Sequence, residues 1–183
     1  MAKEIEVKAR VKNLAKTEKK LVELGCVFSA PISQDDTTFC NYSGRYAEYP
    51  EGSVFARIRI KGDGKAIFTV KKPKGKAELV KVEHETAIMD PSEMRNILGM
   101  FGYREATRVI KKRRTAELGE YEICLDEVER LGSFIEVEKL AHNDADAEPV
   151  LKELIAFLAT LGIAPEDRVK EGYDIMIANL DGK

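Results

Sequence analysis

The chain has 183 residues, with 30 Lys and Arg against 32 Asp and Glu, for a formal net charge of -2. That length is most simply one domain, 1–183, with room for a sizeable core. The near balance of charge argues against duplex nucleic acid as the main partner and leaves room for an anion held by a local cluster of cations.

The first element is Glu4-Ile5-Glu6-Val7-Lys8-Ala9-Arg10, in which charged residues alternate with small or apolar ones. A strand has a side-chain period of two, so Glu4, Glu6, Lys8 and Arg10 share one face and Ile5, Val7 and Ala9 the other. Glu4 and Lys8 would also suit an exposed helix as an i,i+4 pair. The β-branched Ile5, Val7 and Val11, and a cap candidate at Asn13 that comes only after them, favour a strand to about Val11. A helix follows from about Asn13 to Leu24, with Leu14, Leu21 and Leu24 apolar and Gly25 as its stop. Residues 27–29 form a short strand candidate. Residues 31–36 are polar, 37–42 look extended, and 43–53, with two glycines and a proline, read as a loop.

The opening theme then recurs. In 54–61, Arg57, Arg59 and Lys61 alternate with Ala56, Ile58 and Ile60. In 67–71, Thr69 and Lys71 oppose Phe68 and Val70. Residues 72–76 are a basic loop, and 79–87 place Lys81, Glu83 and Glu85 on one face. Asp90-Pro91-Ser92 starts a helix whose apolar side carries Met94, Ile97, Leu98 and Phe101, ended by Gly102. A strand over 107–115 has Lys111 and Arg113 in phase. Over 120–126, Glu120, Glu122, Cys124 and Asp126 face away from Tyr121, Ile123 and Leu125. Over 133–138, Glu136 and Glu138 share a face. Residues 147–161 carry Val150, Leu151, Leu154, Leu158 and Leu161 at helical spacing, and 171–180 form a shorter helix with Tyr173, Ile177 and Leu180 on its apolar side.

Several function classes fall away. No apolar run is long enough to span a bilayer, and the charged N-terminus lacks a signal region, so a cytoplasmic protein with no membrane partner is expected. Cys26, Cys40 and Cys124 are odd in number and unpaired in spacing, which fits reduced thiols. His84 and His142 are isolated and offer no nucleophile–base pair. No glycine-rich phosphate loop is present; Lys61-Gly62-Asp63-Gly64-Lys65 reads as a hairpin turn.

About eight strand candidates remain, each with one charged face, joined by hairpin-like turns at 62–64, 118–119 and 131–132. Mostly antiparallel pairing follows. Were the charged faces solvated, this would be a one-sided sheet under helices. The mixture of acids and bases on those faces, and the apolar surface the helices supply, instead predict an α+β fold. It would be a closed or nearly closed eight-stranded antiparallel barrel with helices outside and a charged interior. An interior lined by Lys8, Arg57, Arg59, Lys71, Lys81, Lys111 and Arg113 suits a polyanion. Glu4, Glu6, Asp126, Glu136 and Glu138 supply hard oxygen ligands suited to Mg²⁺ or Mn²⁺. Alternate residues on a strand lie about 6.6 Å apart, within the span over which glutamates can share an ion. Cations for phosphates with carboxylates for metal are the parts of phosphoryl-transfer chemistry.

Glu4-Ile5-Glu6-Val7-Lys8 resembles the Glu-x-Glu-x-Lys signature of the CYTH superfamily, the triphosphate tunnel metalloenzymes. Arg57 and Arg59, Thr69 and Lys71, Glu83 and Glu85, Lys111 and Arg113, Asp126, and Glu136 and Glu138 follow in that family's order, so the resemblance covers nearly the whole chain. It implies a tunnel that binds a triphosphate with divalent metal. The length, the 132–138 segment and the helical end with Tyr173 look most like the class IV adenylyl cyclase (CyaB-like) branch, which converts ATP to cyclic AMP and pyrophosphate. Inorganic or thiamine triphosphatase activity, or a triphosphate-binding module without turnover, are the alternatives. In this resemblance Glu4, Glu6, Glu136 and Glu138 hold metal, and Asp126 is a further ligand or base. The seven cations hold phosphates, with Lys8 and Arg113 also at the chemistry. Glu83 and Glu85 serve a second metal, base selection or the orientation of Arg57 and Arg59. The expected partner is a nucleoside triphosphate or other small triphosphate, with a homodimer left open.

Overall fold

A computed structural model of the protein describes residues 3–50, 52–73, 81–141 and 147–183. Among these residues lie nine strands: β1 (Lys3–Arg10), β2 (Ile32–Cys40), β3 (Phe55–Lys61), β4 (Ala66–Pro73), β5 (Lys81–Ile88), β6 (Arg104–Leu118), β7 (Tyr121–Val128), β8 (Gly132–Ala141) and β9 (Arg168–Val169). Four α-helices accompany them: α1 (Leu14–Glu23), α2 (Pro91–Met100), α3 (Ala147–Thr160) and α4 (Tyr173–Asp181). The hydrogen-bonded order is β5-β4-β3-β2-β6-β7-β8-β1-β9. The β1–β8, β1–β9, β2–β3, β3–β4, β4–β5 and β7–β8 ladders are antiparallel.

The α+β class and the antiparallel pairing agree with expectation. The closed or nearly closed eight-stranded barrel is not confirmed: nine strands lie among the described residues, and their hydrogen bonds there do not close a ring. The extra strand has a physical cause. Arg168 and Val169 pair with Ala9 and Lys8, on the edge of β1 that β8 leaves open. Two residues are too few to show a period in sequence. No helix among the described residues is long and apolar enough to cross a membrane.

The chain divides into two compact units. Unit 1 comprises Met1–Pro31, Lys112–Val128 and Gly132–Lys170; unit 2 comprises Ile32–Lys111, Glu129–Leu131 and Glu171–Lys183. In unit 1, period-two alternation sends Ile5, Val7 and Ala9 of β1, Ile123 and Leu125 of β7, and Ile135 and Val137 of β8 into one core with Leu21 of α1 and Leu154 and Leu158 of α3. Each large aliphatic side chain buried there contributes about 1.5–3 kcal/mol. Helix α1 starts where the Asn13 side chain accepts a hydrogen bond from the Lys16 N–H at 2.9 Å, and it stops at Gly25, whose φ of +104° disfavours a side chain. Leu24, expected on the apolar side, is exposed. Residues 27–29 are not a strand; the segment is tied instead by the Ser29 N–H to the Thr115 carbonyl at 2.8 Å.

In unit 2 the β3–β4 hairpin turns through Gly64 at φ +82°, closed by the Lys61 N–H to the Lys65 carbonyl at 2.8 Å. Phe39, Ala56 and Ile58 form the apolar side with Leu98 of α2. That helix is capped by the Asp90 carboxylate, which accepts from the Ser92 and Glu93 N–H groups at 2.8 and 2.9 Å. Ile97, expected in the core, is 37% exposed, and Leu98, one position on, takes the buried place. Residues 43–53, expected to be a loop, contain a short 3-10 turn at Tyr46–Glu48. Its Tyr46 is buried against the Phe55 ring, and its hydroxyl donates to Asp174 of α4 at 2.6 Å. Tyr173 and Ile177 of α4 are buried as expected, whereas Leu180 is exposed.

Candidate active site

The charged face of unit 1 is built by β1, β7 and β8. Register places Glu6 opposite Glu138 and Lys8 opposite Glu136 on β1 and β8, and Glu138 opposite Glu122 on β7. Strand alternation keeps these residues off the apolar core of Ile5, Val7 and Val137 and points them to the other face. One carboxylate oxygen from each of Glu6, Glu136 and Glu138 lies within 4.8 Å of the others, the spacing of a candidate metal centre. Three hard anionic oxygens in that arrangement fit Mg²⁺ or Mn²⁺.

The electrostatics agree. Burial pushes the Glu138 carboxyl up to about 8, reinforced by the negative charges of Glu6, Glu136, Glu4 and Glu122. Glu136, 5% exposed, is gripped twice: one oxygen lies 3.1 Å from Lys8 Nζ and the other accepts from Arg113 Nη2. Lys8 also lies 3.3 Å from Glu6. Burial works against charge on Lys8, but Glu136 and Glu6 outweigh it and hold the ammonium well above its usual range. Asp126 is fully buried and accepts from Arg113 Nε and Nη2 at 2.7 and 2.5 Å. Arg113 therefore bridges Asp126 and Glu136. Glu4 is exposed and stands outside the three-carboxylate group.

The charged face of unit 2 has the opposite balance. Arg57 and Arg59 of β3 stand opposite Thr38 and Asp36 of β2, and Arg57 stands opposite Thr69 of β4. Asp36 accepts from Arg59 Nε and Nη2, both at 2.7 Å; its Oδ2 lies 3.6 Å from Lys111 Nζ and 4.0 Å from Arg57 Nη1. On its other side Arg57 Nη2 donates to Thr69 and Glu85, each at 3.1 Å, and the Thr69 hydroxyl donates to Glu85 at 2.6 Å. Lys71 pairs with Glu83 at 2.7 Å. Lys111, 5% exposed, lies over the Tyr173 ring at 5.2 Å. Burial and then the like charge of Arg59 lower the Arg57 guanidinium despite Asp36, Glu83 and Glu85, and its Nε is buried without a hydrogen-bond partner. This face can accept further negative charge.

The sequence-predicted residues are thus gathered in two sets: Glu6, Lys8, Arg113, Asp126, Glu136 and Glu138 in unit 1, and Arg57, Arg59, Lys71, Glu83, Glu85 and Lys111 in unit 2. Lys81 opens β5, and its side chain lies outside the described residues. Asp36, the hub of unit 2, was not among the expected residues. Strand β2 begins at Ile32, earlier than its apolar residues suggest, because the buried positions of its first half, Gln34 and Asp36, are polar and continue into the buried Thr37 and Thr38 before Phe39 and Cys40. The signal that could have found it is the β-branched pair Thr37-Thr38 extended back through an alternating polar stretch.

The described residues thus form an antiparallel α+β fold with a three-carboxylate group on one charged face and a cation cluster on another. The CYTH domain matches residues 2–173, and the chain belongs to this family. A Methanocaldococcus jannaschii protein named as a candidate adenylate cyclase is 30% identical over 171 residues, covering 93% of this chain and 95% of its own. The PH1819 protein of Pyrococcus horikoshii OT3 superposes with a TM-score of 0.81 at 25% identity, covering 98% of this chain and 99% of that one. A candidate adenylyl cyclase from Hippeastrum, whose structure is described as revealing a dominant triphosphatase activity, shares the fold at 19% identity and a TM-score of 0.63, covering 94% of this chain and 91% of that one.

Proposed function

We propose that the chain is a divalent-metal-dependent enzyme acting on a triphosphate, of the class IV adenylyl cyclase type, converting ATP to cyclic AMP and pyrophosphate. The observation that carries this reading is the convergence of Glu6, Glu136 and Glu138 in a member of the CYTH family. The name of the Methanocaldococcus jannaschii relative supports the cyclase branch. Residues 1–183 would act as one functional domain, since the family match runs through both units.

Glu6, Glu136 and Glu138 would hold Mg²⁺ or Mn²⁺, with Glu4 adding negative charge. Bound there, a divalent cation supplies charge neutralisation and polarises oxygen. Lys8 and Arg113 would hold the Glu136 carboxylate in place, one at each oxygen. Asp126 fixes the Arg113 guanidinium through both oxygens, so its contribution is orientation of a cation that offsets charge on the leaving group. Arg57, Arg59, Lys71, Lys81 and Lys111 would bind phosphate oxygens, and Glu83 and Glu85 orient Lys71 and Arg57. In the cyclase reaction the ribose 3′-hydroxyl would lose its proton to solvent, and its oxygen would bond to the α-phosphorus as the bond to the pyrophosphate leaving group breaks.

Hydrolysis of the triphosphate is the second reading. The same residues serve either reaction because they address phosphate and metal, and the Hippeastrum protein of this fold is described with dominant triphosphatase activity. Product analysis with ATP, thiamine triphosphate and inorganic triphosphate, each with Mg²⁺ and Mn²⁺, decides. Cyclic AMP and pyrophosphate from ATP support the cyclase; orthophosphate from inorganic triphosphate without cyclic AMP moves the protein to the triphosphatases. Metal-dependent binding with no product from any of the three makes it a binding module.

A further inference from the structure

Asp36 lies in the middle of the unit 2 cations, and the readings above give it no work. It stands opposite Arg59 in the β2–β3 register, and both its oxygens accept from the Arg59 fork at 2.7 Å. Lys111 and Arg57 reach one of those oxygens, Oδ2, at 3.6 and 4.0 Å. Its side chain is 6% exposed. Burial alone would raise its carboxyl, but the Arg59 hydrogen bonds with the charges of Lys111, Arg59 and Arg57 outweigh that and hold it far below the usual carboxylate range.

A carboxylate presents two coplanar acceptor oxygens that match a guanidinium fork, as a phosphoryl group does. We propose that Asp36 is a positioning residue: an internal anion that aims Arg59, Arg57 and Lys111 at the place a phosphoryl group takes, and that competes with that group for the same donors. The proposal rests on the reading of these cations as triphosphate ligands. It makes two effects of opposite sign. An amide in place of the carboxylate removes a negative charge from among three cations, so attraction for a polyanion rises. The amide NH2 also faces an Arg59 donor in place of an acceptor, so the aim of the fork is lost and turnover falls. A merely structural Asp36 would lower thermal stability without separating affinity from turnover.

The test uses the full chain with saturating Mg²⁺ and inorganic triphosphate as the calorimetric probe. Turnover is read on whichever of ATP or inorganic triphosphate the wild type consumes. Asp36→Asn should bind the probe about threefold or more tightly while kcat falls about tenfold or more. Asp36→Glu keeps the charge but moves the carboxylate by one methylene; it should hold Kd within about twofold and still lose about tenfold in kcat. Should Asp36→Asn fail to fold, Asp36→Glu decides alone. An unchanged kcat in a folded variant, or weaker binding by Asp36→Asn, overturns the proposal. If the wild type binds without turnover, the Kd of Asp36→Asn decides. A wild type that does not bind inorganic triphosphate ends the functional reading itself.

Discussion

The two charged faces solve one problem with opposite signs. In unit 1, two cations, Lys8 and Arg113, stand among the acids Glu6, Asp126, Glu136 and Glu138. In unit 2, Arg57, Arg59, Lys71 and Lys111 stand with the acids Asp36, Glu83 and Glu85. Charged groups withdrawn from water must be paired, because removing one member leaves the other buried and uncompensated. Each face therefore carries a minority charge at its centre, Lys8 with Arg113 in one and Asp36 in the other. The residual charge is negative on the unit 1 face, where the proposed function puts a cation, and positive on the unit 2 face, where it puts phosphate. Pairing bears on stability, and the imbalance is what the proposed function would use.

The largest expected effect comes from breaking the unit 1 imbalance. Glu6→Gln removes a metal-directed carboxylate that is itself partly exposed, so the fold should survive. Turnover should fall by about a hundredfold or more, since loss of a metal ligand removes several kcal/mol of charge stabilisation. Melting temperature without metal should hold or rise, because one member of a repulsive set is gone. Steady-state kinetics over a Mn²⁺ titration, with a melting curve on the same sample, checks both. Activity retained at ordinary Mg²⁺ would remove Glu6 from the metal centre.

A smaller effect belongs to unit 2. Arg59→Lys keeps the charge but loses the planar fork on Asp36. Activity should fall about tenfold, as a charge-assisted hydrogen bond is worth roughly 1.5–3 kcal/mol. Equal loss on ATP and inorganic triphosphate would place Arg59 on the shared phosphates. A loss confined to ATP would move it toward the nucleoside, and no loss on either would take the phosphates off this face.

The two units also differ in how much of them could be read from the chain. Unit 1 was nearly all legible, because β1, β7 and β8 alternate strong apolar residues with charges. Register then follows from burying Ile5, Ile123 and Val137 together. In unit 2 the alternation marked β3 and β4 but only the second half of β2, because one of its buried faces is Gln34, Asp36 and Thr38. Hydrophobic periodicity cannot report a face that is buried and polar, so the charge hub was invisible. The separation of Glu4 from Glu6, Glu136 and Glu138 was equally hidden, because a shared strand face fixes direction and leaves exposure undetermined.

A third effect sharpens the comparison through pH. The folded Glu138 carboxyl is raised to about 8 against an ordinary value of 4.5. Its proton is thus held more tightly in the folded than in the unfolded chain. The resulting stability is fully present below the ordinary value and is lost as pH rises through 8. Metal-free protein should therefore melt lower at pH 9 than at pH 5, by about 2–8 °C if 1–2 kcal/mol is involved. Glu138→Gln should flatten that dependence, and Mg²⁺ should raise the melting temperature more at pH 8.5 than at pH 5.5. Identical pH profiles for the wild type and Glu138→Gln would remove Glu138 as the source.

The smallest effect uses two neighbours on one strand. Asp35 and Asp36 each grip an arginine through both oxygens, Asp35 with Arg108 and Asp36 with Arg59. Alternation sends them to opposite faces, and the solvent distinguishes them. The Asp35 and Arg108 side chains are far more exposed than those of Asp36 and Arg59. Water and salt screen the first pair, so its geometry, though equally good, contributes little. Asp35→Asn should move the melting temperature by no more than about 2 °C and leave kcat and KM at wild-type values. Parallel melting curves and kinetics on Asp35→Asn and Asp36→Asn check this. A loss of turnover in Asp35→Asn matching that in Asp36→Asn would mean that β2 acts through its backbone position, and that the buried charge is not what aims the cations.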